Sequence, residues 1–326
     1  MIPVKPLRSI PVRKFLNKDL EIIVITYNRC AYLRNTLEQL QLSEFRNCKI
    51  SVLDNCSTDG TSNVLECYQE ILPYLTIIRH PRNINGNPNI VRAYELATMP
   101  YLWLLGDDDI INPAYARDVL DICSEAKADL INLWRAPLRT NQTTGLHRIR
   151  DFIRSQRFAL FDQSFISGVI TKTTLITDAT LSKAYDLIAS SYPQLVFTAQ
   201  ALESDGYIYI MPSAVVERSG EDFERFGLKH QMNIVWYVWW CKICSIFQDE
   251  SIKQIVMDDG FQQINFRQFI ISNLIDYRLH GNMLTFHKYL EIMSYQPKRR
   301  LLFCFFAALI YILPKPLVAL MGSASH

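Results

Sequence analysis

Six apolar residues, Tyr101-Leu-Trp-Leu-Leu-Gly106, run directly into three consecutive aspartates, Asp107, Asp108 and Asp109, before Ile110-Ile-Asn-Pro113 follows. A short continuous apolar run bounded in this way reads as a buried strand. The chain must therefore fold with concentrated negative charge at one edge of a sheet. Carboxylates left unpaired in such a place are costly, so a cation is implied. Clustered carboxylate oxygens suit hard divalent ions, Mg2+ or Mn2+, which often bridge to the phosphates of a substrate. The plainer alternative is a solvated acidic turn that caps a helix beginning after Pro113.

The segments upstream constrain the architecture further. Glu21-Ile-Ile-Val-Ile-Thr26 is a β-branched strand that runs into Tyr27-Asn-Arg29, with Asn28 placed to cap a helix reaching about Leu42. A second strand, Lys49–Asp54, runs straight into Asn55-Cys-Ser-Thr-Asp-Gly-Thr61. Asp54 thus lies at a strand's C-terminal end, where open α/β sheets bind ligands. Asp59 and Gly60 supply turn and helix-start chemistry. A third strand, about Leu75 to Arg79, leads through an asparagine-rich loop to a helix carrying Arg92. This alternation predicts an α/β domain: a Rossmann-like, mostly parallel sheet with helices on both faces and a site along one edge.

Four motifs now stand in order: Thr26-Tyr-Asn-Arg29, Leu53-Asp-Asn-Cys-Ser-Thr-Asp-Gly-Thr61, Asn83-x-Asn-Gly-x-x-x-Asn-x-x-Arg-Ala93 and Trp103-Leu-Leu-Gly-Asp-Asp-Asp109. Together they resemble family 2 glycosyltransferases of the GT-A fold, in the bacterial O-antigen and capsule subset that includes abequosyltransferase-like enzymes. The resemblance is good over residues 19 to 135 and looser over 136 to 215. It implies a nucleotide site in which Asp54 contacts the nucleobase and Thr26 and Tyr27 line the base pocket. Arg29, Asn85, Arg92 and Asp107 join that site by their places in the motifs. It also implies that the aspartate motif binds ribose and the metal on the diphosphate. The usual family pattern is Asp-x-Asp-Asp with three residues between it and a Pro. Counted back from Pro113, Gly106 takes the first Asp position, and Asp108 and Asp109 become the metal ligands. A literal Asp-x-Asp reading selects Asp107 and Asp109 instead.

Breaking an anomeric carbon–oxygen bond leaves negative charge on a departing nucleoside diphosphate, which a metal stabilises. Inversion also needs a base for the acceptor hydroxyl. The resemblance implies an Asp in a Glu-Asp pair early in a later helix. Here that helix begins near Tyr192-Pro-Gln194, which lacks carboxylates. Asp186, Glu203 and Asp205 remain, and Asp186 is the candidate base. The Gln-x-x-Arg-Trp motif of processive members is absent, which favours addition of one sugar.

Ile166-Ser-Gly-Val-Ile-Thr171 and Gly206–Met211 read as further strands, and Arg135 to Arg150 as a polar loop. After the second strand, Arg218, Arg225, Lys229 or His230 could meet a diphosphate. The catalytic domain is expected over 19–215, behind a basic N-terminal arm over 1–18. A helical, aromatic-rich region with Trp236-Tyr-Val-Trp-Trp240 occupies 216–296, and an apolar tail 297–326. A net charge of +2 argues against nucleic acid as a partner. Eight irregularly spaced cysteines, with Cys241 and Cys244 the only close pair, suit a reduced compartment rather than a disulfide framework. The first eighteen residues lack the apolar core of a signal peptide.

In the tail, Lys298-Arg-Arg300 precedes the uncharged run Leu301–Leu313. As helix this run reaches about 20 Å, short of the ~30 Å core of a bilayer. It suits a helix docked on an anionic leaflet, or one packed on the protein itself. The expected enzyme is cytoplasmic, attached peripherally to the inner face of the membrane. It uses a UDP- or dTDP-sugar donor, Mn2+ or Mg2+, and a lipid-linked saccharide acceptor. The competing classes are a nucleotidyltransferase-like protein and a non-catalytic nucleotide-sugar binder. The first usually carries a Gly-rich loop after its first strand, and Thr26-Tyr-Asn-Arg29 contains no glycine.

Overall fold

The computed structural model describes residues 15–134, 144–156, 163–189, 192–219 and 246–254, with residues 275, 279, 305, 308–310 and 312–318 towards the C-terminus. Several sequence expectations lie outside these residues: the arm up to residue 14, the loop tip at 141–143, Arg225, Lys229, His230, Trp236–Trp240, the Cys241–Cys244 pair and Lys298–Arg300.

Strands β1 (Asn17–Thr26), β2 (Cys48–Asp54), β3 (Leu75–Arg79) and β4 (Tyr101–Gly106) form a parallel array in the order β3-β2-β1-β4. Beyond β4 the sheet continues with β8 (Val169–Lys172), β6 (Leu130–Asn132), β9 (Tyr207–Ile210) and β7 (Gly145–Arg148), eight strands in all. β8 runs antiparallel to both β4 and β6, so β6 and β9 point the same way as β4. A separate pair joins β5 (Ile110–Ile111) to β10 (Val216–Glu217). The chain steps outward from β1 to β3 and then returns to the other side of β1 as β4. The crevice between the C-terminal ends of β1 and β4 is therefore the topological switch point, where such sheets bind ligands.

Period-two alternation explains the helices on both faces. Ile22, Val24, Trp103 and Leu105 point to one face, covered by α1 (Cys30–Gln41), α2 (Thr61–Gln69) and α4 (Ala116–Glu125). Ile23, Leu102 and Leu104 point to the other, beneath α3 (Gly86–Glu95), α6 (Asp178–Asp186) and α7 (Leu195–Glu203). Tyr94 of α3 stacks on Phe197 of α7 at 4.1 Å. Leu195 and Ala199 of α7 also reach a third cluster with Ile208, Ile210 and α5 (Ile149–Ser155).

Four local expectations are corrected. Asn28 does not cap α1. It adopts the left-handed conformation (φ 53°), and its side chain accepts from the Thr58 backbone N–H at 2.7 Å. The cap comes instead from Asp59 across the neighbouring loop. Its Oδ2 accepts from the Cys30 N–H at 3.0 Å while its Oδ1 accepts from the Thr61 N–H at 3.0 Å, so one carboxylate serves two helix starts. Burial pushes the Asp59 carboxyl up, but the hydrogen bonds from Thr61 and Cys30 outweigh it and hold it below the usual range. Within 135–150, Gly145–Arg148 is an edge strand paired with β9 and Ile149 opens a helix. The strand expected from Ile166 starts only at Val169, after a 3-10 turn over Ile166–Gly168. A Cβ at Gly168 would lie 2.8 Å from the Phe165 ring and 3.1 Å from Trp134, so only glycine fits this turn. Finally, the helix after Pro113 is not capped by the aspartates. Asn112 accepts from the Ala114 N–H at 3.1 Å, and Asp107 and Asp109 are buried.

Candidate active site

The three aspartates have three different environments. Asp107 is 3% exposed and held at both carboxylate oxygens: Thr26 Oγ1 donates to Oδ2 at 2.6 Å and Arg29 Nη1 to Oδ1 at 3.1 Å. Burial raises its pKa to about 6, against the opposing pull of Thr26 and Arg29, with Asp108 adding repulsion. Asp109 is 7% exposed, and its Oδ2 accepts from Ser167 Oγ at 2.5 Å. Burial raises it to about 7; the Ser167 hydrogen bond and the Arg218 charge pull down, while Asp108 and Asp107 push up. Asp108 has the most accessible side chain of the ion-paired two, 11% against 4% for Asp107, and its Oδ2 lies 3.0 Å from Arg29 Nη1.

Side chains absent from the sequence reading fix this turn. Thr36 Oγ1 donates to the Asp107 carbonyl at 2.8 Å, and Gln39 donates to the Asp109 carbonyl at 3.4 Å while accepting from the Ile111 N–H at 2.6 Å. Both project from α1, whose buried face is otherwise Leu33, Leu37 and Leu40. A polar residue such as Thr36 on an apolar helix stripe was the available signal, because burial demands a partner. Ser167 also accepts from the Gly106 N–H at 2.8 Å, and its carbonyl accepts from Trp103 Nε1 at 2.8 Å. At Gly106, a Cβ would sit 2.9 Å from Asp109 Oδ2 and 3.3 Å from Asp108 Oδ1. The position where the family pattern has its first Asp is thus occupied by the neighbouring carboxylates.

Among the described residues, no group of three or more His, Cys, Asp or Glu converges to hold a metal ion. The donor set still fits Mg2+ or Mn2+, because such ions are commonly held by one or two carboxylates, with phosphate and water completing the shell. Asp108 and Asp109 are the residues that would supply those oxygens. Asp107 has both of its carboxylate oxygens committed to Thr26 and Arg29.

Asp54 ends β2 on the same edge. Its Oδ1 accepts from the Ser57 N–H at 2.9 Å; Oδ2 is buried, 3.2 Å from Arg79 Nη1, yet in a direction that makes no hydrogen bond. This is an ion pair with one acceptor oxygen still unsatisfied. Asn85, at the start of α3 (φ 70°), is tied to the same loop: its carbonyl accepts from Asn55 Nδ2 at 3.3 Å and its N–H donates to Asn83 at 2.7 Å. Tyr27 stands 42% exposed just after β1. Arg92 is not brought to the aspartates by these contacts; it pairs with Glu95 at 2.6 Å in the last turn of α3.

Strand direction sorts the remaining carboxylates. Glu203 and Asp205 precede β9, at the N-terminal edge of the sheet and opposite the acidic turn. Glu203 accepts from the Gln248 N–H at 2.7 Å, and Asp205 pairs with Arg148 and Arg150. Asp186 ends α6 and is exposed; next to it Tyr185 donates to Glu95 in the last turn of α3 at 2.7 Å, and two residues on the Ile188 carbonyl accepts from Asn87 at the start of α3 at 2.9 Å. Gln194, buried at the start of α7, donates to the Ser164 carbonyl at 2.9 Å. Arg218 follows β10 and lies over the rings of Phe165 (4.6 Å) and Trp134 (5.1 Å).

The profile of glycosyl transferase family 2 matches residues 21–174, from β1 through β8. The chain is 26% identical to abequosyltransferase RfbV of Salmonella typhimurium over 251 residues, covering 70% of this chain and 74% of that protein. Among solved structures, S. aureus TarS superposes with a TM-score of 0.59 at 20% identity over 89% of this chain; the alignment spans about half (52%) of TarS. Mannosyltransferase PcManGT of Pyrobaculum calidifontis superposes with a TM-score of 0.55 at 14% identity, over 94% of this chain and 90% of that one. Likeness at these identities speaks for the GT-A α/β fold. With an acidic strand end at the switch point of that fold, residues 21–174 form a glycosyl transferase family 2 domain, and the chain is a glycosyltransferase.

Proposed function

We propose that the protein transfers one sugar, with inversion, from a UDP- or dTDP-sugar to a lipid-linked saccharide in the assembly of a bacterial surface polysaccharide. The observation that carries this reading is the turn after β4, where Asp108 and Asp109 adjoin the switch point and Asp54 lies on the same edge. The solved relatives agree in kind: TarS 1-349 has been determined with UDP and with UDP-GlcNAc, and PcManGT with GDP-Man and Mn2+. Asp108 and Asp109 would hold a divalent ion, which when bound would stabilise the charge on the departing diphosphate. Asp107, fastened by Thr26 and Arg29, holds the turn and contributes to the ribose side. Arg218 places a guanidinium close to Asp109, where a diphosphate oxygen would accept from it. Asp186 is the candidate for the acceptor's proton.

The unsatisfied Oδ2 of Asp54 suits a base N–H, which uracil and thymine offer at N3 and cytosine does not. Calorimetry with Mn2+ is expected to give UDP or dTDP about tenfold tighter binding than CDP, the worth of one good hydrogen bond to a charged acceptor. A preference for CDP or GDP would overturn the donor assignment.

We infer a peripheral membrane attachment from the tail. Ile310 and Val318 are fully buried, whereas Phe305, Ile312 and Leu317 are 63%, 80% and 48% exposed. Among the described tail residues, exposed apolar side chains thus accompany the exposed Lys315, in a stretch that follows Lys298-Arg-Arg300 in sequence. No helix among the described residues is long and apolar enough to cross a membrane. Replacing Phe305, Ile312 and Leu317 together by serine is expected to abolish sedimentation with phosphatidylglycerol vesicles at unchanged melting temperature. Wild-type sedimentation by the variant would sink the attachment.

A further inference from the structure

Arg29 stands in an unusual place for a residue of a nucleotide pocket. Its Nη1 lies 3.1 Å from Asp107 Oδ1 and 3.0 Å from Asp108 Oδ2, so one guanidinium nitrogen is shared between two adjacent carboxylates. The side chain is 29% exposed, and its guanidinium carbon lies 5.0 Å from the Tyr32 ring centroid. Asp107 is also bound by Thr26 and Asp109 by Ser167. The Asp108 oxygen facing Arg29 is thus already paired with a guanidinium, and a divalent ion that binds it meets that charge first. Two cations cannot share it cheaply, because their repulsion acts at contact distance in a partly desolvated site.

We infer that Arg29 is the resident counter-cation of Asp107 and Asp108, which a divalent ion must displace from Asp108 and which can then turn to the phosphates of the nucleotide. This rests on the metal reading of Asp108 given above. A flexible stem anchored just beyond β1 makes the exchange possible, since Arg29 begins at the edge where the nucleotide binds. Asp107 keeps Thr26 as a partner when the guanidinium leaves. The consequence is coupling: without nucleotide, Arg29 opposes the ion, and with a diphosphate present to receive the guanidinium, that opposition is lifted. By linkage, the ion strengthens nucleotide binding by the same factor.

The test is Mn2+ binding to the full-length protein, followed by the electron paramagnetic resonance of the free ion, with and without UDP. In the absence of UDP, Arg29→Met is expected to bind Mn2+ about tenfold more tightly than wild type, because a repelling charge has been removed. Arg29→Lys, which keeps the charge, is expected to stay near wild type. With UDP present, the advantage of Arg29→Met should vanish. Equal or weaker Mn2+ binding by Arg29→Met without UDP would overturn the inference and make Arg29 an organiser of the carboxylates instead. No Mn2+ binding by wild type, even with UDP, would overturn the metal reading as well, so the two failures are distinguishable. A second measurement needs no variant. The guanidinium Nε–H resonance of Arg29 in the wild-type protein should move at Mg2+ concentrations that saturate the site, and a resonance that does not respond there would equally sink the proposal.

Discussion

Asp108→Ala is expected to lower metal-dependent sugar transfer by about 10²- to 10³-fold, the usual consequence of removing a group that stabilises charge developing in a transition state. The fold should survive. The Asp108 side chain is the more accessible of the two that share Arg29, and the backbone of the turn is held by Thr36 and Gln39. Initial rates with nucleotide sugar and acceptor, alongside a thermal melt, would decide it. Wild-type turnover that still requires metal would remove Asp108 from the site. The neighbours should behave differently. Asp109→Ala leaves Ser167 Oγ without its carboxylate partner and should cost both rate and stability. Asp107→Ala leaves Thr26 Oγ1 without its carboxylate partner and takes one of two carboxylates from Arg29, which keeps Asp108, so its loss should appear chiefly in nucleotide affinity.

The second large effect is on stability against pH. Asp107 and Asp109 have an ordinary carboxyl value of 3.8, and burial raises them to about 6 and about 7 in the folded protein. Between about pH 4 and pH 7 the native state therefore binds more protons than the unfolded state, and stability falls as pH rises. Below that window both states are protonated and the contribution is flat. For metal-free protein, urea unfolding at pH 5 and pH 7.5 is expected to show a loss on the order of a few kcal/mol from these two groups. Saturating Mn2+ should reverse the trend, because the ion binds the carboxylates as anions and only in the folded protein. Asp109→Asn should reduce the metal-free slope to the share of Asp107. A metal-free protein more stable at pH 7.5 than at pH 5 would contradict the burial argument.

The strands and their order along the chain were legible because their signal is local. A β-branched or apolar run that stops at a polar loop has few alternatives, so Leu75–Arg79 and the strand ending at Asp54 fall where the pattern puts them. Capping was not legible at Asn28. An asparagine before a helix is a good local cap, but here a carboxylate thirty residues on, Asp59, reaches the same N–H and leaves Asn28 to bind Thr58. The strand in 135–150 was missed because Gly145–Arg148 lies at the sheet's edge and alternates weakly, with Leu146 itself 41% exposed.

By itself, the sequence determined that negative charge would gather at the end of a buried strand, since nothing but a sheet edge can hold Asp107–Asp109 directly after Tyr101–Gly106. It also determined the face each strand residue would take, because side-chain direction alternates with a period of two. Only the tertiary structure decided how the three carboxylates differ. Thr26 and Arg29 come from the end of β1, Thr36 and Gln39 from α1, and Ser167 from a turn sixty residues later, and it is their contacts that distinguish two buried carboxyls from a more accessible one. The same holds for Asp205 and Glu203, which proximity in sequence offered as bases and strand direction sends to the opposite edge. Burial and hydrogen bonding set the charge state of a carboxylate, and both are properties of what folds against it.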